Sequence, residues 1–172
     1  PHEHRERFHY WQEDVEHVTY ESLDTTLQDL GASMSAVYSV HASPSCKTVS
    51  IAHHGSNPHR IDDWRSDDAV KDDRVLEHIC TLLRQIGETH TDILQSLENP
   101  LCMFADMPMV QALSQQDGWQ MVREVDHCMM TSKLDDIHFP QKPTTWLLHN
   151  CAPQDDAVCF NRCANLLPHK DA

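Results

Sequence analysis

A cysteine and a glutamate follow apolar segments of the chain, and their side chains have the chemistry of a nucleophile and an acid. Cys46 lies in a Ser-Pro-Ser-Cys loop after the apolar run 35–42, and Glu98 lies in a Leu-Glu-Asn-Pro sequence after a shorter apolar run. A loop thiol near a helix start can be held closer to the thiolate form. A nearby carboxyl could protonate a ring nitrogen and so prepare an aromatic ring for thiolate attack. The two residues are therefore candidates for nucleophilic catalysis.

Each of these two segments also has a simpler interpretation when it is taken alone. An isolated loop cysteine is more often an inert, partly buried thiol than a nucleophile. The sequence Asn99-Pro100 is a common strand terminator, which would make Glu98 an ordinary solvated neighbour of a turn. The position of the two segments in the fold decides between the catalytic and the simpler interpretation, because ligands of open α/β sheets bind beyond the carboxyl ends of strands.

A second group of chemically capable residues lies in the tail 151–172. Zinc is bound by cysteine and histidine side chains, and three of the four residues in this group have spacings that zinc can use. The group comprises Cys151, Cys159, Cys163 and His169. It lacks a tight Cys-x2-Cys pair, so the alternative is a set of scattered thiols. The sequence leaves both interpretations open.

The composition limits the classes of function. The formal net charge of the 172 residues is −14, and this opposes unaided binding to a phosphate backbone, which requires Lys and Arg. Only 4 residues are Gly, although loops that hold cofactor phosphates are usually built on glycine. The 7 cysteines are scattered, which predicts reduced thiols in an intracellular compartment. No segment reaches the roughly 20 apolar residues of a membrane span, so no membrane partner is expected.

The pattern of apolar residues predicts alternating strands and helices. We expect helices where apolar residues recur every three or four positions, over 19–30, 69–86 and 110–116. We expect strands near 8–12, 35–42, 92–97, 120–128 and 144–149. This alternation indicates an α/β domain over 1–150, with a mostly parallel sheet that ends in a hairpin-like strand pair. The tail 151–172 would stand apart from it.

Four motifs in chain order resemble those of the DNA cytosine-5 methyltransferases. The loop that contains Cys46 resembles the family's Pro-Cys nucleophile loop, and the sequence 97–100 is similar to its Glu-Asn-Pro/Val element. His59-Arg60 stands where the family often has a basic pair. The sequences 125–128 and 142–146 resemble a Tyr-Cys … Lys-Pro-Thr … Trp pattern of compact phage-like or retroelement-like members.

The resemblance implies a fold, a reaction and roles for particular residues. The fold would be a three-layer Rossmann-like methyltransferase fold, present in part. Cys46 would attack carbon 6 of cytosine, and Glu98 would engage ring nitrogen 3, so that carbon 5 accepts a methyl group from S-adenosylmethionine. Asn99 and Pro100 would shape the loop that holds Glu98. Asp14 would lie where the family contacts the adenine of the cofactor.

The chain departs from the family pattern in ways that leave two functions open. Ser45 replaces the residue that directly precedes the nucleophile in the family. The glycine-rich cofactor loop that is expected before Pro1 is missing. The segment that should face DNA contains the acids Asp62, Asp63, Asp67 and Asp68. The first function is a methyltransferase half that acts on DNA and is inactive unless a separate chain supplies the cofactor loop. The second is a non-catalytic structural or assembly subunit that binds protein partners within a larger complex.

Overall fold

Three helices and six strands make up the part of the chain that the structure describes. The structure is a computed structural model, and it describes residues 9–49, 58–61, 64–100, 103–126 and 143–150. The helices are α1 (Tyr20–Asp29), α2 (Asp67–Thr89) and α3 (Pro108–Ser114). The strands are β1 (Ser39–Ala42), β2 (Arg60–Ile61), β3 (Trp64–Arg65), β4 (Leu94–Pro100), β5 (Trp119–Asp126) and β6 (Pro143–His149). Short 3-10 turns occupy Val15–His17, Met34–Ala36 and Met103–Asp106.

Side-chain caps fix where α1 and α2 begin. Thr19 and Ser22 form a reciprocal capping box at the start of α1, and the Ser66 hydroxyl accepts from the Ala69 amide, 3.2 Å away, at the start of α2. The helix α1 ends before Gly31, whose φ of 76° is the left-handed conformation that glycine adopts readily. The three predicted helices are confirmed, each within three residues of its predicted ends.

Four strands form the main sheet, in the order β1-β4-β6-β5. The strands β1 and β4 are parallel, from Ser39 opposite Leu94 to Ala42 opposite Leu97. The strand β6 lies between β4 and β5 and is antiparallel to both. The prediction of a mostly parallel sheet is therefore wrong, because placing one reversed strand inside the sheet makes two of the three pairs antiparallel. The hairpin-like pair at the end of the sequence is the β5–β6 pair.

The predicted strand near 8–12 is also wrong over its described residues. Residues 9–12 carry no strand, and Tyr10 is 89% exposed. Alternating residue types alone do not make a strand, because a strand also needs a partner for its backbone hydrogen bonds.

The core lies on one face of the main sheet. Leu97 and Leu147, which face each other across β4 and β6, are fully buried. They pack against α2, α3 and the turn Met103–Asp106 in one cluster of apolar side chains. A smaller cluster joins α1 to the end of α2 and to Ile93. The second helical layer of a three-layer arrangement is not among the described residues.

A buried histidine, His149, lies at the end of the sheet opposite the carboxyl ends of β1 and β4. His149 contacts the Trp119 ring, with a centroid separation of 5.1 Å. Glycines leave room for its imidazole, since a Cβ built on Gly118 would lie 2.8 Å from His149 Nε2 and one on Gly87 would lie 3.3 Å from Cε1. The neighbouring Gln95 can donate its side-chain amide to the Leu83 carbonyl at 2.8 Å and accept from the Gly87 amide at 3.1 Å. Helix and sheet are thus joined through polar contacts at this end.

His149 should make the stability of the fold depend on pH. Burial lowers the pKa of His149 below its usual value, so the unfolded chain takes up a proton at a higher pH than the folded chain does. Stability is then fully present above the unfolded pKa of about 6.5 and falls as the pH drops below it. We expect urea unfolding to show a smaller loss of stability between pH 8 and pH 5.5 in His149→Gln than in the wild type. Equal losses in the two proteins would contradict this role of His149.

Candidate functional site

The fold brings the loop of Cys46 next to the end of strand β4. Asn99 and Pro100 were predicted to shape a loop that holds Glu98, and this is wrong, because β4 continues to Pro100 and pairs with β6 over all three residues. The strands β1 and β4 are parallel neighbours, so their carboxyl ends point the same way. The loop that contains Cys46 begins directly after Ala42, and Glu98 lies one residue beyond Leu97, the partner of Ala42. Pro100 ends β4 opposite Thr144. The sequence segments singled out for catalysis are therefore adjacent in space.

Two hydrogen bonds join the loop of Cys46 directly to β4. The Ser43 hydroxyl donates to Glu98 Oε2 over 2.7 Å. The Asn99 side-chain amide donates to the Pro44 carbonyl over 3.0 Å. Glu98 is 8% exposed and Asn99 is 1% exposed, and a buried polar group is stable only when such partners exist. The end of β4 is therefore bonded to the loop that contains Cys46.

Cys46 itself is partly buried and packs against the edge of the main core cluster. Its carbonyl accepts from the Val49 amide at 3.2 Å, which closes a turn around it. Cys80, in the middle of α2, provides a contrast, because burial raises the pKa of its thiol to about 12 and keeps it protonated. Of these two thiols, Cys46 is the more accessible.

A cleft lies beneath the loop of Cys46, between that loop, α2 and the turn before α3. Its cavity volume is about 20 Å³, which is room for about one water molecule. Its lining includes Pro44, Ser45, Asn99, Phe104 and Met107. Neither Cys46 nor Glu98 lines this cleft. This cleft therefore does not connect the two side chains.

Acidic residues at the start of α2 also bind the loop of Cys46, and the sequence did not indicate this. Lys47 donates to Asp68 over 2.7 Å on the surface, and this hydrogen bond lowers the pKa of the Asp68 carboxyl. The Thr48 hydroxyl donates to Asp72 over 2.7 Å. Asp68 belongs to the acidic segment that the resemblance would place facing DNA, whereas Asp72 was not singled out. Both contact residues of the loop that contains Cys46, and only their spacing on one helix face could have suggested it.

Asp14 lies apart from the loop of Cys46 and the end of β4 in the described contacts. Its carboxylate accepts from the Glu16 amide over 3.2 Å and caps the turn Val15–His17. The described glycines, Gly31, Gly87 and Gly118, lie after α1, within α2 and before β5, and none of them forms a loop between a strand and a helix. The described residues therefore do not fit a cradle for S-adenosylmethionine. The contact of Asp14 with adenine stays a prediction.

The predicted zinc ligands fall outside the described residues. Cys151, Cys159, Cys163 and His169 all belong to the segment 151–172, so zinc binding there stays a prediction. Within the described ranges, no three His, Cys, Asp or Glu side chains are grouped so that they could hold a metal ion.

Comparison of the chain with protein-family models, with curated proteins and with solved structures found no match. None of the helices in the described ranges is long and apolar enough to cross a membrane.

Proposed function

We propose that this chain is a catalytic half of a DNA cytosine-5 methyltransferase-like enzyme, with Cys46 as the nucleophile and Glu98 as the acid. The observation that carries the proposal is the pair of hydrogen bonds between the loop of Cys46 and β4, from Ser43 to Glu98 and from Asn99 to Pro44. Four residues of the two motifs thus contact each other at adjacent strand ends, although the motifs are 55 residues apart. Ligands of open α/β sheets bind beyond the carboxyl ends of the strands, and these contacts lie at that end of the parallel strands β1 and β4.

The proposal assigns the first chemical step to Cys46 and Glu98, after the Cys46 thiol has lost its proton to water. The thiolate of Cys46 would form a bond to carbon 6 of cytosine, and the double bond between carbons 5 and 6 would break. Its electron pair would pass into the ring as nitrogen 3 takes a proton from the Glu98 carboxyl. The product is an enamine that is covalently bound to Cys46.

We further propose that the described strands are part of a Rossmann-like methyltransferase fold. The parallel β1–β4 pair and the antiparallel β5–β6 pair support this, because the proposed fold combines both kinds of pair. Since the described residues do not fit a cradle for the methyl donor, S-adenosylmethionine would have to be held by other residues or by a separate chain. Methyl transfer would depend on that complement, whereas the addition step would not.

A structural or assembly role is the second candidate, and two observations favour it. The Ser43 hydroxyl already occupies one oxygen of Glu98, and the net charge of −14 repels a nucleic acid. In this structural role, the contacts between the loop of Cys46 and the end of β4 would only stabilise the sheet. The surface of the protein would bind other proteins. The two candidates differ in whether Cys46 reacts with a base.

A covalent trap tests the proposal without a methyl donor. An oligonucleotide that contains 5-azacytosine has a more electrophilic carbon 6, so attack by Cys46 would leave a protein–DNA adduct that survives denaturation. We expect an adduct with the wild type and none with Cys46→Ala. Glu98→Gln can still accept from Ser43 but cannot protonate nitrogen 3, and it should slow adduct formation by about 100-fold or more.

Circular dichroism and thermal unfolding of each variant provide the control for folding. A wild-type protein that is folded but forms no adduct with single-stranded or duplex oligonucleotides would exclude the catalytic proposal. It would leave the structural role. An adduct that persists in Cys46→Ala would show that another residue reacts.

A further inference from the structure

A buried ion pair lies behind the loop of Cys46. Arg60, in the two-residue strand β2, donates through both terminal nitrogens to the Asp73 carboxylate in α2, one bond measuring 3.1 Å and the other shorter. Their side chains are only 8% and 10% exposed. Arg65 adds a third bond to the same carboxylate at 2.8 Å. A paired geometry of this kind fixes the guanidinium plane as well as its position.

The third guanidinium nitrogen of Arg60 bonds to the loop that contains Cys46. Its Nε donates to the Thr48 carbonyl over 2.8 Å. The Thr48 side chain is fully buried, and its hydroxyl donates to Asp72 over 2.7 Å. The next residue, Val49, donates its amide to the Cys46 carbonyl. A continuous series of bonds therefore runs from Asp73 through Arg60 and Thr48 to the turn that carries Cys46.

We propose that Arg60 and Asp73 are positioning residues that set where the thiol of Cys46 points, an inference that rests on the proposed function. Arg60 is suited to this because one planar group binds the carboxylate with two nitrogens and the Thr48 carbonyl with the third. A lysine keeps the charge and the ion pair but has a single nitrogen and cannot make all three bonds in one plane. A reactive atom displaced by about 1 Å can lose about 100-fold in rate.

The variant Arg60→Lys tests this role, because it keeps the buried charge pair. We expect it to remain folded, to bind the azacytosine oligonucleotide with unchanged affinity and to form the adduct 10-fold to 100-fold more slowly. A second readout is alkylation of Cys46 by iodoacetamide, followed by mass spectrometry of the Cys46 peptide. That rate should rise at least threefold as the loop loosens. Asp73→Glu keeps the charge but moves the carboxylate. Like Arg60→Lys, it should slow adduct formation and speed alkylation of Cys46.

Lys47→Gln is the matched control. It removes an ion pair from the same loop, but that pair is exposed on the surface and such pairs contribute little. Both rates should remain at the wild-type level in this variant. Wild-type rates in Arg60→Lys as well would overturn the positioning role. If the wild type forms no adduct, the proposed function fails on that result. The alkylation rates then decide the positioning role alone, since faster alkylation in Arg60→Lys but not in Lys47→Gln supports it.

Discussion

Replacement of Phe104 by alanine is expected to lower the free energy of unfolding by about 3–5 kcal/mol. Phe104 is fully buried in the main core cluster, and it also lines the cleft beneath the loop of Cys46. Its loss would leave a cavity between α2, α3 and the sheet. Because domains of this size are stable by about 5–15 kcal/mol, the change removes a large part of the total. Urea unfolding followed by circular dichroism measures it.

Met103→Ala is the control for Phe104→Ala, because Met103 belongs to the same 3-10 turn but is 41% exposed. We expect it to change the free energy of unfolding by less than about 1 kcal/mol, as exposed substitutions usually do. Equal effects of the two substitutions would show that the turn, and not the packing of the Phe104 ring, determines stability here.

Gly118→Ala is expected to destabilise the fold by about 2–5 kcal/mol. Two effects combine. Gly118 has a φ of 81°, a conformation that costs a residue with a side chain about 1–2 kcal/mol, and a Cβ would lie 2.8 Å from His149 Nε2 and 2.9 Å from Cδ2. Overpacking of this kind adds about 1–3 kcal/mol. Thermal and urea unfolding should both show the loss.

Gly31→Ala separates the two effects in Gly118→Ala. Gly31 has a similar φ of 76°, but nothing lies within 4 Å of the Cβ that alanine would add. It should therefore show only the conformational effect, about 1–2 kcal/mol. A Gly118→Ala variant that is no less stable than Gly31→Ala would mean that the His149 ring moves aside without cost.

The helices were predictable from the sequence because their signals are local. Spacing of apolar residues and the caps Thr19 and Ser66 lie within a few positions of the helices they define. The direction of β6 was not predictable in the same way. Which strands pair, and in which direction, depends on residues far apart along the chain, and an apolar strand has the same pattern in either direction. The strands in 92–149 were therefore predicted, but the mostly parallel direction of the sheet was wrong.

At the candidate site, too, local features were predictable from the sequence and contacts between distant residues were not. Position in the chain was enough to place Cys46 after a strand, but the strand expected to end at 97 continues through Glu98 to Pro100. The contacts between Ser43 and Glu98 and between Arg60 and Asp73 depend on how the backbone turns, which composition does not reveal. Asp67 and Asp68 were interpreted by their charge alone, as part of a segment that opposes contact with DNA. Asp73, which the sequence did not single out, is buried, and its charge is balanced by Arg60.

The pairing of β1 with β4 also has a consequence for the order of folding. The bonds from Ser43 to Glu98 and from Asn99 to Pro44 each close a chain segment of 55 residues. Closing so long a segment costs more chain entropy than forming α1 or α2, whose bonds are local, so contacts of this kind form slowly. Folding intermediates that contain the helices but lack the β1–β4 pair would have no assembled site. Partial opening of the sheet edge would likewise dismantle the loop of Cys46 before the helices unfold.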